Sequence, residues 1–225
     1  MKKRFNILMQ FVFLVFLLTS RGHSSCEVTE KQAGILRNLI KDNAEFVRST
    51  KPAFFEPFLV HQDPRATILT CCDSRLHMHA FDLTPKNDLF VVRCIGNQMQ
   101  TALGSVEYGI NHLKTPVLMI IGHTGCGAVT AATQSGEIFK MELPIRRELI
   151  SMDLKIRKEN PTKDEIQRNI EENIHDQVDF ALAHFREKPL GELMVLGALY
   201  DLHNVYGEGN GKLILINSHG IKRAK

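Results

Sequence analysis

The sequence predicts an α/β fold in which a mostly parallel β-sheet is flanked by helices and ends in a C-terminal antiparallel hairpin. Three observations carry this. Short branched-aliphatic runs recur without polar alternation, as in strands buried on both faces. Stretches of helical periodicity separate them, and the last two runs are joined by a glycine-containing connection instead of a helix. The chain of 225 residues is 44% hydrophobic and 24% charged. It is long enough to bury a substantial core and has none of the composition of disordered or collagen-like chains.

The elements follow in order. Met1 to Arg4 form a positively charged start and Phe5 to Leu18 an apolar stretch whose unbroken core begins at Phe11. That core is shorter than the roughly 20 residues a spanning helix needs. Ser20, Gly22 and Ser24 supply small residues for cleavage. Residues 1–22 are therefore expected to be a cleaved signal peptide, the protein to be exported, most simply to a periplasm, and residues 23–225 to form a single domain. Lys2, Lys3, Arg4 and Arg21 all lie in this leader, where no acid occurs; without those four, the 28 basic residues fall to 24 against 25 acidic ones. The formal charge of +3 belongs to the leader, so neither nucleic acid nor a stable membrane partner is expected.

Thr29 with Gln32 forms a capping box, and Ile35, Leu36, Leu39, Ile40 and Val47 follow at helical spacing. Strands are expected at Ala66 to Thr70, Leu89 to Val92 and Val117 to Ile121, with helices from about Thr101 to Leu113 and Ala128 to Gln134. Arg146 to Lys158 reads as a solvated helix face. Thr162 with Glu165 makes a second capping box, and Ile166, Ile170, Ile174, Val178 and Leu182 give the next helix one apolar face. Leu193 to Tyr200 and Lys212 to Ile216 close the chain as the hairpin.

Five cysteines are an odd number for an exported disulfide scaffold, which directs attention to other uses of thiols. Cys71 ends the first expected strand, and His123 and Cys126 follow the third. In an open parallel sheet the carboxyl ends of strands are where ligands bind. Two thiolates and one imidazole suit zinc, and three protein ligands leave the open position that a catalytic site requires.

Here the chain resembles the β-class carbonic anhydrases. Cys71, Asp73, Ser74 and Arg75 match that family's C-x-D-S-R, and Gly122, His123, Cys126 and Gly127 its G-H-x-x-C-G. Arg93, Gly96 and Asn97 keep part of its R-N-x-G-N; S-V-E-Y from Ser105 to Tyr108 and the Tyr200–Asp201 pair agree further. The resemblance implies one Zn2+ per subunit on Cys71, His123 and Cys126, and reversible hydration of carbon dioxide to bicarbonate and a proton by a zinc-bound hydroxide. It implies that Asp73 orients the nucleophile while Arg75 holds Asp73 back from the metal. Gln62 and the Gly127 amide would contact bicarbonate, and Phe90, Ile95 and Tyr108 would line the CO2 pocket. A homodimer or a multiple of dimers follows, with the N-terminal helix packed on a partner subunit. The alternatives are hydrolysis of CS2 or COS on the same scaffold, or a non-catalytic zinc- or bicarbonate-binding protein.

Cys72 and Cys94 depart from the family pattern and are read as buried free thiols, with a redox role as the alternative. His77 and His79 are read as exposed residues at a loop or helix start, with proton transfer as the alternative.

Overall fold

The computed structural model describes residues 28–223. The expected leader, residues 1–22, lies outside them. The chain divides into two compact units between Leu59 and Val60.

The first unit consists of α1 (Glu30–Ser49) and two short 3-10 turns, Pro52–Phe54 and Glu56–Phe58. The Thr29–Gln32 capping box is formed in both directions and starts α1. No residue of α1 is buried, and Ile35, Leu36, Leu39, Ile40 and Val47 are all exposed. Phe54 meets Phe46, Phe55 and Phe58 edge to face, the arrangement that ring quadrupoles favour.

The second unit is a six-stranded sheet in the order β2-β1-β3-β4-β5-β6. Its strands are β1 (Ala66–Cys71), β2 (Leu89–Cys94), β3 (Val117–His123), β4 (Met194–Asp201), β5 (Lys212–Ser218) and β6 (Ile221–Lys222). The first four pair in parallel, while β4, β5 and β6 pair antiparallel. The mostly parallel sheet with its C-terminal hairpin is as expected; β6 is an addition the sequence did not announce.

The helices are α2 (Met99–Glu107), α3 (Gly127–Thr133), α4 (Leu143–Ile150) and α5 (Lys163–His184). The helix expected to reach Leu113 keeps regular geometry only to Glu107, and a wider π turn, Tyr108–His112, completes it. The Thr162–Glu165 capping box starts α5. Its buried Ile170, Ile174 and Val178 form the core-facing stripe.

The stretch Arg146 to Lys158 is a correction. Only its beginning is helical, and beyond α4 it runs inward: Met152 and Leu154 are buried, and Arg157 donates to the carbonyls of Ala132 and Met152. Its charged residues do face solvent, Arg147, Asp153, Lys155, Arg157 and Lys158 all being exposed; what the charge pattern hides is the non-helical segment that buries Met152 and Leu154. Among the described residues no helix is long and apolar enough to cross a membrane.

Candidate metal centre

Cys71 is the last residue of β1 and His123 the last of the neighbouring parallel strand β3, so both arrive at the carboxyl end of the parallel strands. Cys126 follows on the tight loop into α3 and caps that helix. The ligand atoms of Cys71, His123 and Cys126 lie within 4.8 Å of one another, and all three residues are buried.

Several features fit this group to a metal cation. His123 Nδ1 lies 3.2 Å from the Thr124 carbonyl, which can only accept, so Nδ1 carries the proton and Nε2 presents its lone pair. Nε2 is buried without a hydrogen-bond partner among the described residues. Carbonyl orientation of the distal ring nitrogen is the usual arrangement around metal-ligating histidines.

The two thiols are unequal, and only Cys71 favours the charged form. Cys71 is pushed down to about 4, first by the hydrogen bond from Cys126 and then by the backbone N–H groups of Gly96 and Asp73, against the opposing effect of burial. Cys126 is pushed well up, because it shares its proton with Cys71 and is itself buried, although the amides of Ala128 and Val129 favour its thiolate. Ligation of a divalent cation requires both sulfurs as thiolates, so the raised thiol of Cys126 would have to give up its proton to the solvent.

Gly96 reaches Cys71 through a turn that only glycine makes easily. Its φ is +66°, and a Cβ there would come within 2.3 Å of Met152 Cε.

Asp73 projects from the turn after β1. Arg75 grips it with two prongs, Nε to Oδ1 at 2.9 Å and Nη2 to Oδ2 at 2.6 Å, and adds its backbone N–H to Oδ1 at 3.0 Å. This guanidinium holds the Asp73 carboxyl well below the usual carboxylate range. Arg75 Nη2 also donates to the Gly125 carbonyl at 3.1 Å. Arg93 fixes the turn from beneath by donating to the carbonyls of Cys71, Asp73 and Leu76. The motif containing Arg93 is legible in the sequence; its task of bracing this turn is not.

The remaining site residues are distributed unevenly. Gln62 is exposed on the segment leading into β1, and Gly127 is exposed at the first position of α3, next to Cys126. Ile95 packs against the apolar cluster that contains Cys71 and Cys126. Phe90 packs against a different cluster, with Leu69, Val92 and Met99, and its ring lies 5.9 Å from that of Tyr108. Phe90 and Tyr108 are thus neighbours, and Ile95 packs against the other apolar cluster.

His77 and His79 are exposed around a 3-10 turn, Met78–Ala80. Cys94 is partly buried, its Sγ accepting from Gln98 N–H, and burial pushes its thiol up to about 12. Cys72 is exposed, which corrects the expectation of burial: it lies one residue beyond the strand, where the chain turns outward. The four described cysteines are all free.

Residues 66–209 match the carbonic anhydrase family. The chain belongs to the β-carbonic anhydrase family. Carbonic anhydrase 2 of Mycobacterium tuberculosis is 42% identical over 72 residues, 32% of this chain and 35% of that protein, so the match spans about a third of that relative's length. The β-carbonic anhydrase CcaA superposes with a TM-score of 0.65 at 20% identity, covering 85% of this chain and 93% of that one. A tetrameric β-carbonic anhydrase from Sordaria macrospora gives 0.61 at 19% identity, covering 87% and 100% respectively. At such identities these superpositions establish the shared β-carbonic anhydrase fold, including its mixed sheet.

Proposed function

We propose that this protein catalyses the zinc-dependent, reversible hydration of carbon dioxide to bicarbonate and a proton. One observation carries the reading: three buried donors, Cys71, His123 and Cys126, converge within 4.8 Å beside an Asp73 carboxylate that Arg75 keeps turned toward itself. Two thiolates and an imidazole match the ligand preference of zinc, and three ligands leave a fourth position open. Bound zinc would supply the Lewis acidity that makes water nucleophilic near neutral pH.

The chain's own residues do the rest. Asp73, anionic and held from behind, can accept a hydrogen bond from an incoming water and aim it at CO2. Arg75 prevents the same carboxylate from swinging in as a fourth ligand, and its planar fork does this where an ammonium could not. Arg93 keeps the turn that carries both in one conformation. Gln62, Gly127, Phe90, Ile95 and Tyr108 are proposed to contact substrate or bicarbonate.

The active form is proposed to be a homodimer or a multiple of dimers. The apolar stripe of α1, on which no residue is buried, supports this, as does the tetrameric description of the Sordaria macrospora enzyme. Export is proposed from the leader composition of residues 1–22.

Stopped-flow CO2 hydration by the purified protein, with metal content and light-scattering mass measured alongside, tests the reading; COS and CS2 serve as parallel substrates. The expected result is about one zinc per chain, as three-ligand sites hold, and hydration that disappears on chelation. Zinc-loaded protein that fails to hydrate CO2 would overturn it.

A further inference from the structure

The connection between β4 and β5 carries a histidine that neither the motifs nor the metal group accounts for. His203 lies just beyond β4 and is seated by buried Asp201. The carboxylate of Asp201 accepts the His203 N–H at 3.2 Å through Oδ1 and the Tyr206 N–H at 2.9 Å through Oδ2. The exposed imidazole is thereby turned onto the loop between His123 and Cys126. Its Nδ1 lies 2.8 Å from Thr124 Oγ1. Its Cε1 covers Gly125 so closely that a Cβ there would approach within 2.7 Å, and Gly125 also has a φ of +67°.

Both carbonyls of that short segment serve the metal centre. The Thr124 carbonyl faces His123 Nδ1 at 3.2 Å, and the Gly125 carbonyl accepts from Arg75 Nη2 at 3.1 Å. One orients the imidazole ligand; the other anchors the guanidinium that clamps Asp73. The segment is tied to β4 by the Thr124 N–H, which donates to the Tyr200 carbonyl at 3.1 Å. Its remaining side-chain tie is the hydroxyl contact to His203.

We infer that His203 is a positioning residue of the metal centre, fixing through Thr124 and Gly125 the carbonyls that orient His123 and Arg75. The inference rests on the proposed reading of the site as a zinc centre. Removing an outer partner of a metal-ligating histidine changes metal affinity or activity about 10–100-fold. His203 acts one contact further out, so the lower end of that range, about tenfold, is expected.

The experiment compares His203→Leu, Thr124→Val, their combination and His203→Asn in the full chain. Three readouts are taken: zinc release to a chelator, the cobalt(II) absorption spectrum and CO2 hydration. His203→Leu keeps apolar cover over Gly125 and loses the hydrogen bond; it should release zinc about tenfold faster and shift the cobalt bands. Thr124→Val should do the same, and the double variant no more, because both remove one contact. His203→Asn, whose amide can reach the Thr124 hydroxyl, should restore wild-type behaviour.

Wild-type zinc release and cobalt bands in His203→Leu would overturn the inference. So would additive effects in the double variant, or equal losses in His203→Asn matched by lowered melting of the metal-free proteins. Zinc release and cobalt absorption need no substrate. A wild-type protein that binds zinc but leaves CO2 untouched would therefore remove the proposed activity while these two measurements still decide the role of His203.

Discussion

Asp73 Oδ2 stands 3.8 Å from His123 Nε2, yet both oxygens of that carboxylate are committed to Arg75. The acid is thus adjacent to the only ligand nitrogen of the metal group and restrained from joining it. A carboxylate left free at that distance would be drawn onto any cation the three donors held. The two-pronged grip converts a competing ligand into an oriented hydrogen-bond acceptor.

Asp73→Asn should therefore leave metal content near that of the wild type and lower CO2 hydration about 100-fold, the scale of losing a positioned proton acceptor. Arg75→Lys leaves the carboxylate but offers a single point of contact. Its rate should also fall, with Asp73 now free to close on the metal. Cobalt spectra separate the two: Asp73→Asn keeps the wild-type coordination pattern, and Arg75→Lys shows an added oxygen ligand. Loss of zinc in Asp73→Asn would mean that Asp73 serves as a ligand in the resting protein.

Cys126→Ser tests the metal group itself. A serine hydroxyl is a poor zinc donor at neutral pH, and among the described residues three side chains make up the ligand group. Metal and hydration should disappear together, while the fold stays intact by circular dichroism. Retained zinc with retained rate would show that the ion is held elsewhere.

These residues were legible in the sequence for a physical reason. Cys71 to Arg75 and Gly122 to Gly127 each compress ligands, gate residues and turn residues into half a dozen positions at a strand end, where spacing along the chain nearly fixes spacing in three dimensions. The capping boxes at Thr29 and Thr162 were readable on the same ground. What escaped depends on contacts between distant segments. His203 meets Thr124 because β4 pairs with β3 and a buried Asp201 bends the chain back. Asn169 and Asn173 on α5 resemble a solvent face by composition, yet both are buried, bonding Ile156 and the Gly96 carbonyl respectively. The division of Phe90 and Ile95 between two apolar clusters likewise follows from the packing of β2, which its hydrophobic run does not specify.

The unequal thiols give a prediction about protons. With Cys71 pushed down to about 4 and Cys126 pushed up, the metal-free pair carries one proton near neutral pH. Zinc loading should then release about one proton from the two thiols, since ligation requires both sulfurs as thiolates. Calorimetric titration in two buffers of different ionisation enthalpy measures the number directly. Apparent zinc affinity should rise with pH throughout the neutral range, because the raised thiol has still to be deprotonated there. Release of two protons would mean that the thiols titrate independently and do not share one.

Glu165 offers a pH-dependent stability effect remote from the metal. It closes the capping box of α5 by accepting the Thr162 N–H at 2.8 Å, and it pairs with Lys158 at 2.7 Å. Lys158 first, and then the Thr162 amide, lower its carboxyl from 4.5 to about 2. Since the folded value lies below the unfolded one, folding favours the charged form. That contribution is complete above about pH 4.5 and is lost as the pH falls toward 2. Glu165→Gln keeps an acceptor for Thr162 but never carries the charge. Its melting temperature should lie about 1–2 °C below that of the wild type at neutral pH, the small effect expected of an exposed pair. The gap should narrow steadily below pH 4.5 as the wild-type carboxyl becomes protonated. A difference that stays constant from pH 7 to pH 3 would mean that the carboxylate charge is not what Glu165 contributes to stability.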